Sequence, residues 1–102
     1  MKIVEADFIM EPSNETSNLF DLCFIKRVKK RDTGLYALEP GDKMYGLTLS
    51  HCLNKIAIRR TTKKYEEQNI TLREFLKEFQ SNYREIVKLC RETLPENFDT
   101  GE

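Results

Sequence analysis

The chain predicts an α+β fold: a small N-terminal antiparallel β-sheet of meander form, followed by a C-terminal antiparallel helix pair. Two observations carry that prediction. Up to about residue 47 the apolar residues come in short runs separated by turn residues, and beyond it they recur at helical intervals. The start of a helix is also written twice, as Leu47-Thr48-Leu49-Ser50-His51-Cys52-Leu53 and as Ile70-Thr71-Leu72-Arg73-Glu74-Phe75-Leu76. In both, a Thr can accept a hydrogen bond from a first-turn N–H, and apolar residues five apart bracket it at hydrophobic-staple spacing. Glu74 completes a capping box with Thr71. Capping requirements alone generate this likeness, so it is not read as an internal duplication.

Taken in order, residues 2–10 alternate as a strand, with Val4, Ala6, Phe8 and Met10 on one face and Glu5 and Asp7 on the other. Residues 11–18 have loop composition. Residues 19–30 are too continuously apolar for periodicity to separate strand from helix. The turn that follows, Arg31-Asp32-Thr33-Gly34, decides for a strand, with Leu35-Tyr36-Ala37-Leu38 returning beside it. Pro40-Gly41 then reads as a second turn, and residues 43–47 as a further short strand. A first helix over 48–65 buries Leu49, Cys52, Leu53, Ile56 and Ala57. Glu66-Glu67-Gln68 and Asn69 break it.

The last helix is long, about residues 71–94. Leu72, Phe75, Leu76, Phe79, Tyr83, Ile86, Val87, Cys90 and Leu94 share one face, Phe79 is expected among the most buried residues, and Pro95 ends the helix. The short connection makes the two helices an antiparallel hairpin expected to lie on the sheet. The organisation is therefore a single domain over 1–102: 1–47 mainly β, 48–94 a helical hairpin, and 95–102 a flexible tail. At 102 residues such a domain can hold a core without a disulfide or a metal.

Composition narrows the function classes. Hydrophobic residues at 39% and charged residues at 33% place the chain among globular proteins rather than disordered ones. No apolar run approaches the length of a membrane span, and no charged leader precedes an apolar stretch, so a cytoplasmic protein with no membrane association is expected. Cys23, Cys52 and Cys90 are an odd number, lack metal-site spacing and lie in apolar runs, where reduced thiols act as small hydrophobes. Net charge is zero but segregated: −3 over residues 1–15, +7 over 16–64 and −4 over 65–102. The neutral total argues against a nucleic-acid mimic, which should be strongly acidic overall.

Chemistry-bearing motifs are sparse. The only His, His51, adjoins Cys52, but neighbours on a helix point about 100° apart and do not form a nucleophile–base pair. The four Gly are too dispersed to cradle a phosphate. Neither a catalytic residue, a metal ligand nor a cofactor is expected. The pointed feature is Lys26-Arg27-Val28-Lys29-Lys30-Arg31, five bases in six residues beside the predicted turn, with Tyr36 nearly opposite Lys29. A second basic group, Arg59, Arg60, Lys63 and Lys64, ends the first helix, where cations complement the macrodipole. Tyr36, Tyr45 and Tyr65 lie near segment ends, where tyrosine beside Arg and Lys is the composition of a binding surface.

The reading that follows is a non-catalytic protein-binding or regulatory accessory module, of a size and motif poverty that fit a phage or mobile-element protein. Its expected partner is another protein, and homo-oligomerisation is compatible with it. The alternative is a nucleic-acid-binding module using segments 26–31 and 59–64.

Overall fold

The computed structural model describes residues 2–14 and 18–93, with the Thr93 side chain left out. Its elements are β1 (Ile3–Val4), β2 (Phe8–Pro12), β3 (Phe20–Lys29), β4 (Tyr36–Leu47), α1 (Leu49–Lys64) and α2 (Leu72–Thr93). The α+β class, the antiparallel meander and the two following helices are as expected. The chain divides into two compact units between Thr48 and Leu49. Leu94, Pro95 and the tail 95–102, on which the expected helix end and the flexible tail rest, lie outside the described residues.

In the first unit the strands run in the order β1-β2-β3-β4, every neighbour antiparallel. Pairs Ile3↔Met10, Met10↔Leu22, Phe8↔Phe24 and Pro12↔Phe20 set one row of side chains on one face. Ile3, Phe8, Met10, Phe20 and Leu22 in that row are buried. The single strand expected over 2–10 is instead a tight hairpin. The Glu5 N–H donates to the Phe8 carbonyl at 2.9 Å, and β1 folds back on β2. Ile3 then shares the buried face with Phe8 while Val4 turns outward, 62% exposed. The sequence conceals this turn because Ile3 and Val4 are both apolar, so an alternating face can be drawn through Val4 where the hairpin buries Ile3 instead.

Strand β2 also runs two residues into the expected loop, through Pro12. The Ser13 N–H donates to the Leu19 carbonyl, so Pro12, one residue earlier, turns its missing donor to the opposite edge, beyond the end of β1. Strand β3 confirms the strand reading of 19–30. The turn after it is closed by Lys30 N–H to Leu35 O at 2.8 Å and Gly34 N–H to Lys30 O at 2.9 Å, with Gly34 at φ +70°.

Pro40-Gly41 is not a turn, because β4 continues through it. Its pairing with β3 shifts twice, between Cys23↔Lys43 and Ile25↔Pro40 and again between Phe20↔Leu47 and Leu22↔Met44. Each shift sets one extra β4 residue against β3, a β-bulge. At the first, a Cβ on residue 41 would stand 3.0 Å from the Phe24 carbonyl oxygen, which explains the glycine. At the second, Gly46 takes φ +66°. Asp21 ties this end of the sheet, accepting from Ser13 Oγ at 2.5 Å and from the Gly46 N–H at 3.1 Å. Those donors hold its carboxyl below the usual range, the Ser13 bond most strongly.

In the second unit, Thr71 caps α2 as expected. Its Oγ1 accepts from the Glu74 N–H at 3.1 Å, and its own N–H points to Glu74 Oε1 at 3.4 Å, the reciprocal pattern of a capping box. Between the helices, Glu67 sits at φ 64°. Two side-chain contacts show the antiparallel register: Asn82 Nδ2 donates to Thr61 Oγ1 at 3.0 Å, and Lys64 Nζ to Glu78 Oε2 at 2.8 Å. Residues rise along one helix as they fall along the other. The buried side chains Leu49, Cys52, Leu53, Ile56, Ala57 and Thr61 of α1 and Ile86, Val87 and Cys90 of α2 lie on this register.

The expectation for Phe79 is corrected. It is only half-buried, stacked on Tyr83 with ring centroids 6.0 Å apart, and Leu72 is 72% exposed. Lys64, the last residue of α1, stands level with Glu78, so Leu72, Phe75 and Leu76 lie on turns of α2 that run past the end of α1, while Phe79 lies level only with its last turn.

Candidate functional site

Strand β2 pairs with β3 only as far as Phe24, and the last bond between them runs from the Ile25 N–H to the Asp7 carbonyl. Beyond that point residues 26–39 form a two-stranded ribbon. The strand period then divides the basic run that the sequence presents as continuous. Pairs Lys29↔Tyr36 and Arg27↔Leu38 place Arg27, Lys29, Tyr36 and Leu38 on one face. Lys26↔Glu39 and Val28↔Ala37 set Lys26, Val28, Ala37 and Glu39 on the other, and Arg31 belongs to the turn.

The two faces differ in electrostatics. On the Lys26 face, Lys30 is engaged in an ion pair with Glu39. On the opposite face the Arg27 guanidinium lies 4.0 Å from the centroid of the Tyr36 ring, a cation–π contact that holds the ring flat beneath it. Tyr36 is 56% exposed and Leu38 72% exposed. An arginine-stacked tyrosine, an exposed leucine and a lysine thus share one face of the ribbon. Leu38 was not among the residues the sequence singled out. The signal that could have found it is its two-residue offset from Tyr36, once Gly34 fixes the turn.

The second basic group does not behave as one patch. On α1, Arg59 and Lys63 share one side and Arg60 and Lys64 the adjacent one, by helical spacing. Arg59 and Arg60 are half-buried. Lys64 is committed to Glu78 and also lies 5.6 Å from the Tyr65 ring centroid, and the Glu78 bond raises its pKa above the usual lysine range. Lys63 stands 4.0 Å from Glu66. Helix-ending and ion-pairing roles account for much of this charge.

Elsewhere the ionic contacts are structural. Lys43 donates to Glu11 Oε1 at 2.9 Å, binding β4 to β2 across β3, with the Glu11 carboxyl lowered and the Lys43 ammonium raised by their mutual bond. His51 is exposed and Cys52 fully buried. Cys23, Cys52 and Cys90 are buried and in no disulfide, and burial pushes the Cys90 thiol up. No group of three or more His, Cys, Asp or Glu side chains suited to a metal ion occurs among the described residues. No helix among them is long and apolar enough to cross a membrane. No family model, curated protein sequence or solved structure matches the chain.

Proposed function

We propose that the protein is a non-catalytic, protein-binding accessory module, and that it binds through the ribbon face bearing Arg27, Lys29, Tyr36 and Leu38. The observation that carries this reading is the exposure of Tyr36 and Leu38 beside the stacked Arg27 guanidinium. Tyrosine and arginine are the residues enriched where interfaces concentrate their binding energy, because each supplies a large contact area with a polar handle. Three buried cysteines in no disulfide support a reducing compartment such as the cytoplasm.

Nucleic-acid binding is the competing reading. The division of the basic run between two faces and the pairing of Lys30 and Lys64 with carboxylates weigh against it. The test sets the two side by side. Immobilised protein and a Tyr36→Ala, Leu38→Ser variant are exposed to an extract of the source cells. A protein retained by the parent and released by the variant is the expected result, and equal retention by both removes this face from consideration. In parallel, gel-shift titrations with duplex DNA at several salt concentrations compare the parent with a variant whose Lys26, Arg27, Lys29, Lys30 and Arg31 are all Gln. A shift whose salt slope flattens by roughly 0.9 per lost phosphate contact would establish the nucleic-acid reading instead.

A further inference from the structure

Resting on the protein-binding reading, we infer the chemistry of the partner: an acidic, extended peptide segment that adds as a short fifth strand along residues 35–39, at the start of β4. Strand β4 forms an edge of the sheet. The hydrogen-bonding phase of that edge follows from two bonds. Lys30 N–H bonds the Leu35 carbonyl of the facing arm, and Ile25 N–H turns away from β4 to Asp7. Alternation then makes Lys29↔Tyr36, Arg27↔Leu38 and Ile25↔Pro40 the pairs that exchange no bond across β3–β4. The N–H and C=O groups of Tyr36 and Leu38 therefore point to the open edge.

The same phase shows where strand addition must stop. Pro40 directs its missing donor to that edge, and the bulge beside it breaks the repeat. An edge is ordinarily blunted by such devices, by lysines and by irregularity. Here they act on one half of β4, and residues 35–39 retain a regular ladder with two outward amides and two outward carbonyls. A segment of three to five residues is what this stretch accommodates, by the mode in which a peptide extends an exposed sheet edge.

Charge selects the occupant. Residues 26–39 carry a net +3. Arg27 starts on β3, yet its guanidinium lies over Tyr36 on β4, which brings that charge toward the edge. On the face shared with Tyr36 and Leu38, an added strand places alternate side chains about 5 Å from those two residues, so apolar groups fit there with Asp or Glu flanking them toward Arg27 and Lys29. A second copy of the chain is disfavoured at this edge because it would set two such cationic ribbons side by side.

A displayed library of random twelve-residue linear peptides, selected on the full chain, tests the inference. The expected outcome is enrichment of sequences alternating Asp or Glu with apolar residues. A synthetic peptide of the enriched sequence should shift the amide resonances of Tyr36 and Leu38 and bind at least tenfold more weakly to an Arg27→Glu, Lys29→Glu variant. Leu38→Pro, which deletes an outward donor as Pro40 does, should abolish binding, while Leu38→Ser should weaken it and preserve the amide shifts. If Leu38→Pro fails to fold by circular dichroism, the amide shifts decide. No enrichment, enrichment of basic sequences, or shifts confined to other residues would overturn the inference. Retention of a folded partner through Tyr36 and Leu38 without peptide enrichment would overturn it too, yet leave the protein-binding reading standing. Only equal retention by parent and variant in the extract experiment removes that reading.

Discussion

Thr71 has a side-chain oxygen bonded to the Glu74 N–H, a bond that alanine cannot make. Thr71→Ala should therefore cost about 1 kcal/mol, read from denaturant melts. A cost near zero would mean that the first turn of α2 is held by something else. Glu67 supplies a change of opposite sign. It occupies the left-handed region at φ 64°, where a side chain crowds its own carbonyl. Glycine relieves that crowding but adds freedom to the unfolded chain, and the balance favours the substitution: Glu67→Gly should raise stability by about 0.5–1 kcal/mol. A loss in thermal melts would show that the Glu67 side chain makes a contact worth more than its strain.

At the scale of elements, α1 and α2 are unequal partners, since only the part of α2 beyond Glu78 has α1 opposite it. Ile56→Ala, in the paired region and fully buried, should cost about 2–5 kcal/mol, and Phe79→Ala, half-buried, only about 1–2 kcal/mol. Equal losses would restore the fully buried stripe that periodicity implies. Thr61 is the polar tie between the helices, donating to the Ala57 carbonyl and accepting from Asn82 within a site of 0% exposure. Thr61→Val keeps the shape and removes both bonds, so a loss of about 1–3 kcal/mol is expected, and Asn82→Ala should add little to it. These elements also show how far the residues alone reach. Caps, turn glycines and helical spacing are local signals, and they placed β3, the turn at 31–34 and both helices. The hairpin at residues 5–7, the bulges in β4 and the overhang of α2 depend on which segment lies opposite, and no local pattern carries that.

For the molecule as a whole, charge couples stability to pH on both sides of neutrality. Asp21 and Glu11 have carboxyls lowered in the folded state, so their stabilisation is complete above the ordinary carboxylate range, about pH 4, and is lost as pH falls through the lowered folded values. Lys43 and Lys64 are raised, so theirs is complete below the ordinary lysine range, about pH 10.4, and is lost as pH rises through the raised values. Melting temperature should thus hold a plateau between and fall at either end. Asp21→Asn should flatten the acid limb, and an unchanged limb would place the acid sensitivity elsewhere. The candidate site was half legible on this scale. The basic run and Tyr36 were visible as letters, but their division between two faces required the strand period, and the value of Leu38 required the open edge beside it.

The unequal lengths of β3 and β4 have a consequence for how this chain tolerates insertion and loss. Ten residues of β3 face twelve of β4, and the two bulges absorb the difference. Removing one residue from a regular stretch of β4 would turn every side chain on one side of the cut to the wrong face. Removing Gly41 or Asp42 would instead leave Lys43 opposite Cys23 and Pro40 opposite Ile25, with all faces preserved. Such a deletion also straightens the edge that the bulge now bends. The spare residue should thus be dispensable for folding but costly to lose for solubility, so shortening β4 at this point should give a more regular sheet with a greater tendency to stack edge to edge.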